Sequence, residues 1–264
     1  MREIVPAATA SVRLRPGTAA GRAGVSDPPA AGPEATIATV LPMAWPGLRR
    51  ADGALLIGLQ TGAAGSDPSR DVAKVLLELL DAVPGTPLRP GLPATADTPR
   101  LQDLLDPTVP FEVAVHDTFD FWVAPGAELD DDARRSLQQA NDSMVPTEKL
   151  AAAPSAYWCR VGERTHLRWL LPDDEDAATG AFARLHAAGA DLLGEQTRLL
   201  GAFRACGLLA LVWDLDPRLP GSAYEEPLAT LAARYGNALA DTTALTPEQR
   251  RARSGLLSRQ LTLR

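Results

Sequence analysis

The chain has 264 residues, of which 45% are apolar, and a formal net charge of −7. This length can bury the core of one large domain or two smaller ones without disulfide or metal staples. The acidic balance disfavours nucleic acid as a partner, because phosphate contact needs surplus Lys and Arg. No apolar run has the length of a signal peptide or a membrane span. Two cysteines, Cys159 and Cys206, fit a reducing compartment, so we expect a cytoplasmic protein.

The N-terminal part predicts strands at residues 3–14, 35–41 and 54–60, with an Ala-, Gly- and Pro-rich surface loop over residues 17–33. Asp67 is suited to cap a helix whose first turn contains Pro68. Prolines and glycines are dense over residues 83–110, which predicts a linker. We therefore expect an N-terminal subdomain over residues 1–108 and a C-terminal subdomain over residues 109–264.

Three tryptophans, Trp122, Trp169 and Trp213, recur at nearly even intervals. Each lies in a short apolar run that is followed by acidic residues and an amphipathic helix pattern. This spacing predicts an internal repeat of three hairpin-helix (ββα) units, followed by a terminal helix that begins near Thr246. The fold class predicted is α+β, with mostly antiparallel sheets built from these units and helices on one side.

The hairpins can be given a register from their alternation. A three-residue turn at residues 116–118 places the apolar side chains of residues 111–123 on one face and Trp122 on the other. In the second hairpin, a turn over residues 162–165 sets Trp158 opposite Trp169, with Cys159 and His166 on the opposite face. The third hairpin, residues 198–216, is apolar on both faces, which is typical of central strands.

Two sets of polar residues are weak candidates for chemistry. His116, Asp117 and Asp120 offer an imidazole beside two carboxylates, although turns favour such residues anyway. Cys159 and His166 are placed so that the histidine could lower the pKa of the thiol, although a cysteine in an apolar strand is usually a small core residue. Standard catalytic, phosphate-binding and metal-binding motifs are missing, and no cofactor or metal is expected.

A tryptophan and a methionine between two prolines, in the segment Pro42–Pro46, form the strongest candidate for a partner-binding tip. The residues expected to touch a protein partner are Met43, Trp45 and Trp122, and Trp45 could instead fold back over the core. We expect a non-enzymatic protein-interaction module. The alternatives are an enzyme of unknown reaction at one of the two polar sets, and nucleic-acid binding through the Arg-rich C-terminal helix, which ranks last on net charge.

Five further stretches are informative together, residues 3–10, 38–46, 65–71, 157–162 and 256–262. They resemble an uncharacterised protein family from high-G+C actinobacteria. The likeness covers nearly the whole chain. It implies no catalytic or binding residue, because the activity of that family is undefined. It implies a longer N-terminal lead, so a missing upstream segment is one interpretation of the abrupt start.

Overall fold

The structure is a computed structural model of the chain, and it describes residues 4–18, 32–59 and 67–258. The chain divides into two compact units, residues 1–144 and 145–264. The strands described in the first unit are β1 (Ala8–Arg13), β2 (Glu34–Ala38), β3 (Gly47–Arg49), β4 (Leu55–Gly58), β5 (Thr86–Pro87) and β6 (Ala114–Val115). Its helices are α1 (Pro68–Asp81), α2 (Leu101–Leu104) and α3 (Asp131–Asp142), with short 3₁₀ helices at Pro42–Ala44 and Asp120–Trp122.

These strands form one sheet in the order β5-β3-β4-β2-β1-β6, in which β2 and β4 are parallel and the other pairs are antiparallel. Helix α1 covers one face. Its N-terminus is capped as predicted, because the Asp67 carboxylate accepts hydrogen bonds from the backbone N–H groups of Ser69 and Arg70. The helix buries Leu76 and Leu79 against the sheet. Close approach needs Gly47 in β3, since a Cβ there would lie 2.9 Å from Val75 Cγ1.

The predicted hairpin over residues 111–123 is wrong. Only Ala114–Val115 forms a strand, and it pairs with β1 instead of with a following strand. Trp122 belongs to a 3₁₀ helix, from which its indole N–H donates to the Val40 carbonyl at 2.9 Å. The local alternation favours a hairpin, but two other contacts stabilise the observed structure. The edge of β1 pairs with Ala114–Val115, and the half-buried indole gains an acceptor. These contacts also place residues beyond 108 in the first unit, so the structure differs from the expected boundary near residue 108.

Helix α3 confirms the helix predicted after the apolar run of Trp122, and the Asp130 side chain caps it. The apolar stripe expected on this helix is not buried, and none of its residues is in the core. Five of its twelve residues are charged, so the stripe is too narrow to form a core-facing side.

In the second unit the described strands are β7 (Thr147–Leu150), β8 (Ala156–Val161), β9 (Arg164–Leu171), β10 (Arg198–Ala205) and β11 (Leu208–Leu215). The helices are α4 (Glu175–Ala187), α5 (Glu225–Ala240) and α6 (Pro247–Ser258). A 3₁₀ helix at Gly221–Tyr224 directly precedes α5. The sheet is antiparallel throughout, in the order β10-β11-β9-β8-β7. The third predicted hairpin is formed by β10 and β11, although β10 lies at the edge of the sheet. The predicted terminal helix is present, and reciprocal hydrogen bonds between Thr246 and Gln249 form a capping box at its start.

An aromatic cluster fills the core between this sheet and its helices. Trp169 on β9 and Trp213 on β11 have ring centroids 6.4 Å apart, and Phe182 of α4 and Tyr235 of α5 pack on Trp169 at 6.1 and 5.5 Å. Both indole N–H groups donate to backbone carbonyls of neighbouring loops. The cluster joins one sheet face to two helices, as expected for an α+β unit with helices on one side.

The second hairpin has a tighter turn than predicted. Val161 pairs with Arg164 around a two-residue turn in which Gly162 has a φ of 60°. Trp158 therefore lies opposite Leu167, and Trp169 lies opposite Ala156. The observed register differs from the predicted one by two residues. Side chains alternate between faces with a period of two, so each side chain keeps its predicted face.

The α+β class with mostly antiparallel sheets is confirmed, whereas the regular repeat is not. The hairpin-helix order occurs in β8-β9-α4 and in β10-β11-α5, and the Trp122 segment lacks the hairpin.

Two glycine-to-alanine substitutions should have opposite effects on stability. Gly47→Ala should lower the free energy of unfolding by about 1–3 kcal/mol, because the new methyl group would collide with Val75 and Leu79. Gly236→Ala, in the exposed interior of α5 with open space around it, should raise it by about 0.5–1 kcal/mol. Urea unfolding of both variants beside the parent chain tests this. An unchanged stability for Gly47→Ala would contradict the packing of α1 on β3.

Candidate functional site

The loop after β2 has an unusual backbone conformation. Met43 and Ala44 both have left-handed conformations, with φ of 52° and 54°. A non-glycine residue in that region costs about 1–2 kcal/mol. The turn is closed by hydrogen bonds from Ala44 N to Leu41 O at 3.1 Å and from Trp45 N to Pro42 O at 3.0 Å. It projects Met43 outward, and the Met43 side chain is 85% exposed.

Packing at the base of this turn holds it in place. Leu41 is 1% exposed and forms a small apolar cluster against which Trp45 and Trp122 pack. The Trp122 indole donates to the carbonyl of Val40, which comes shortly before the turn. Gly58 N donates to Pro46 O at 2.8 Å just after it. Of the three residues expected to touch a partner, Met43 is outermost, while both tryptophans are half-buried supports.

In the first polar set, His116 is held by residues outside the set. The His116 ring packs on Phe121, with centroids 5.0 Å apart, and its Nε2 lies 2.7 Å from the Thr9 hydroxyl. Asp117 and Asp120 are exposed. In residues 4–18, 32–59 and 67–258, no hydrogen bond joins His116 to either carboxylate. The imidazole is thus held by Thr9 and Phe121, and no acid-base pair is formed with these aspartates.

The second polar set is a straight row across three strands. Cys159 on β8 lies directly opposite His166 on β9, which in turn lies opposite Asp214 on β11. His166 Nδ1 is 3.7 Å from Asp214 Oδ1. The predicted placement of Cys159 and His166 on one face is confirmed. Asp214 is the member of the row that is not among the residues predicted from the sequence, although a carboxylate beside Trp213 in an apolar hairpin is an unusual feature of that sequence.

The electrostatics of this row oppose nucleophilic chemistry. Cys159 is fully buried, and that burial raises the pKa of its thiol, with a smaller opposite effect from Arg168. Burial also lowers the pKa of His166, partly offset by the Asp214 carboxylate. A nucleophilic cysteine needs a depressed pKa and access for substrate. The row has the order of a thiol, a base and an orienting acid, but its thiol is protonated and closed to solvent.

The Arg-rich terminal helix is engaged within its own unit. Helix α6 packs along α4, where the Arg253 guanidinium pairs with the Asp176 carboxylate. Arg250 donates to the Leu245 carbonyl. Arg259 and Arg264 lie outside the described residues.

Residues 4–18, 32–59 and 67–258 contain no group of three or more His, Cys, Asp or Glu side chains arranged to hold a metal ion. Every helix in them is too short or too polar to cross a bilayer.

The two cysteines should differ sharply in reactivity. Iodoacetamide at pH 8 should alkylate Cys206, which is exposed in the β10-β11 turn, and should spare Cys159 until the chain is unfolded. Mass spectrometry of peptides from native and urea-treated protein measures both sites. The Cys206→Ser variant, which retains Cys159 alone, serves as the control and should show no fast-reacting thiol. Rapid alkylation of Cys159 in the folded chain would show that its thiol is accessible to solvent, which would contradict the buried position.

His166 should make stability depend on pH. Folding lowers the pKa of His166, so as pH falls the imidazole is protonated in the unfolded chain at a higher pH than in the folded chain. The free energy of unfolding therefore decreases as pH falls below the ordinary histidine pKa of about 6.5. Urea unfolding at pH 7.5 and 5.5 should show a smaller loss for His166→Gln than for the parent chain. Asp214→Asn, which removes the favourable carboxylate, should show a larger loss. Equal losses in all three proteins would contradict this role.

Comparison with known proteins gives a family but no activity. No functionally curated protein and no solved structure matches the chain. A family model described as "Family of unknown function (DUF5926)" matches residues 1–264. The chain therefore belongs to the DUF5926 family of unknown function.

Proposed function

We propose that this protein is a non-enzymatic interaction module of the cytoplasm, and that Met43 is the residue it presents to a protein partner. The observation that carries the proposal is the pair of consecutive left-handed non-glycine residues, Met43 and Ala44, at the tip of a clamped turn. Such strain persists only where the surroundings over-determine it, and it concentrates at functional positions.

The physical properties of the turn suit an anchor. Leu41 and Trp45 fix its base, so little conformational entropy remains to be lost when the tip is bound. The Met43 side chain is unbranched and polarisable, which lets it fill irregular apolar pockets. We therefore expect the partner to offer a small apolar pocket.

The polar sets support this proposal over an enzyme. His116 is held by Thr9 away from any partnership with Asp117 or Asp120. Cys159 has a raised thiol pKa and no exposed surface. The cytoplasmic setting is supported by two cysteines that are both free.

A photo-crosslinking residue at position 43 should capture a discrete partner in native cells. The same residue at position 161 is the matched control, because Val161 is also an exposed apolar side chain, 45% exposed, but lies on a different hairpin. Adducts specific to position 43 are expected. Equal capture at both positions, or none at 43, would overturn the proposal.

Two purified variants should distinguish the contribution of the Met43 side chain to binding from the effect of the left-handed backbone on stability. Met43→Ala should weaken binding of the captured partner by about 30-fold, the effect of removing a hot-spot side chain. Ala44→Gly should keep the affinity and raise the free energy of unfolding by about 1 kcal/mol, because glycine tolerates positive φ. Calorimetric titration and urea unfolding measure the two effects. Unchanged affinity of Met43→Ala would contradict an anchoring role.

A further inference from the structure

A proline-rich segment, residues 87–94, runs beside helix α1, and we call it the strap. Pro87, Pro90 and Pro93 recur at every third position. Proline fixes φ near −65°, and the residue before a proline is driven to extended conformations. A polyproline II helix has three residues per turn, so this spacing aligns the three prolines along one ridge. The strap has no regular secondary structure after β5, as expected for such a helix.

Helix α1 and strand β3 hold the backbone of the strap. Leu88 N donates to Gly47 O at 2.8 Å, and Ala94 N donates to the carboxylate of Asp71 at 3.0 Å. Asp71 is only 8% exposed, so this is a buried attachment. Between these points, the ammonium of Lys74 donates to the Leu92 carbonyl. The attachments use backbone groups and leave the outer side chains free to meet solvent.

The outer side of the strap is apolar with one charge. Leu92 is 84% exposed, and Arg89, Pro90 and Pro93 are exposed as well. The inner side is closed by Leu88, which packs on the core under α1. An exposed leucine between two prolines, on a backbone that is already fixed, is a preformed ligand surface.

We propose that the strap is a ligand for a polyproline-binding groove on a protein partner. Such grooves are lined by aromatic side chains and take proline ridges because the polyproline II helix loses little entropy on binding. The Arg89 guanidinium calls for a carboxylate at the rim of that groove. The inference is independent of the Met43 tip, since it stands on a different segment and a different recognition chemistry.

A second copy of the chain is a less suitable occupant. Two straps brought together would place the Arg89 charges near each other, and like charges across an interface are unfavourable. Trp45, Phe121 and Trp122 of the first unit pack against its core cluster, and the exposed Phe111 ring by itself does not form an aromatic-lined groove. A foreign groove with acidic character fits the strap better.

The test uses the full chain, labelled with ¹⁵N, and two purified probes, an SH3 domain and a WW domain. Titration to about 1 mM of either domain should shift the backbone amide resonances of the non-proline residues of the strap, which are Leu88, Arg89, Gly91, Leu92 and Ala94. The Pro90→Ala/Leu92→Ala variant should bind at least about tenfold more weakly, and Arg89→Glu should also bind more weakly. Both changes are at exposed side chains, so the remaining spectrum reports that the fold is retained.

Two controls keep the outcomes separate. Pro125→Ala changes an exposed proline outside the strap and should leave the affinity unchanged. Met43→Ala should also bind the probes normally, so failure of the Met43 proposal and failure of this one are distinguishable. Absence of shifts with both domains would overturn the proposal. Equal binding by the strap variants, or shifts in the strap caused by self-association alone, would also overturn it.

Discussion

A buried indole has one N–H donor, and leaving that donor unpaired costs about 1–3 kcal/mol, which is large against the stability of a domain. Among the residues that the structure describes, the Trp158 indole N–H is buried without a hydrogen-bond partner, whereas three other indoles are paired. Trp122 donates to the carbonyl of Val40, and Trp169 and Trp213 donate to the carbonyls of Pro154 and Asp191. Each acceptor lies in an irregular segment. The three tryptophans therefore bring large apolar surface to the core and also fix the loops that supply their acceptors.

The hydrogen bond from the Trp122 indole to the Val40 carbonyl helps to hold the proposed contact site in place. It fixes the chain just before the turn that carries Met43, while the bond from Gly58 N to Pro46 O fixes the chain just after it. A Cβ at Gly58 would come within 2.7 Å of the Trp45 carbonyl, so this position requires the absence of a side chain. The left-handed pair at the tip persists because both ends of the turn are held.

Features set by neighbouring residues could be predicted from the sequence. The cap of α1 at Asp67 is such a feature, and so is the sharing of a face by Cys159 and His166. Features set by distant residues could not. The strand Ala114–Val115 pairs with β1, more than a hundred residues earlier, and no local alternation records that choice. The left-handed conformation of Met43 likewise depends on packing around it, since the flanking prolines indicate only a loop.

The Met43 turn ends close to the strap. Pro46, which ends the Met43 turn, lines the same surface groove as Leu92 and Lys74. Both segments are irregular in backbone yet held by hydrogen bonds to regular elements, and both expose an apolar side chain that the core does not use. Rigid irregular segments with exposed apolar side chains are suited to recognition, because the ordering entropy is already spent in folding. The Met43 turn packs on the small cluster around Leu41, whereas the strap packs on the core under α1, so the two segments reach the same rigidity through separate contacts.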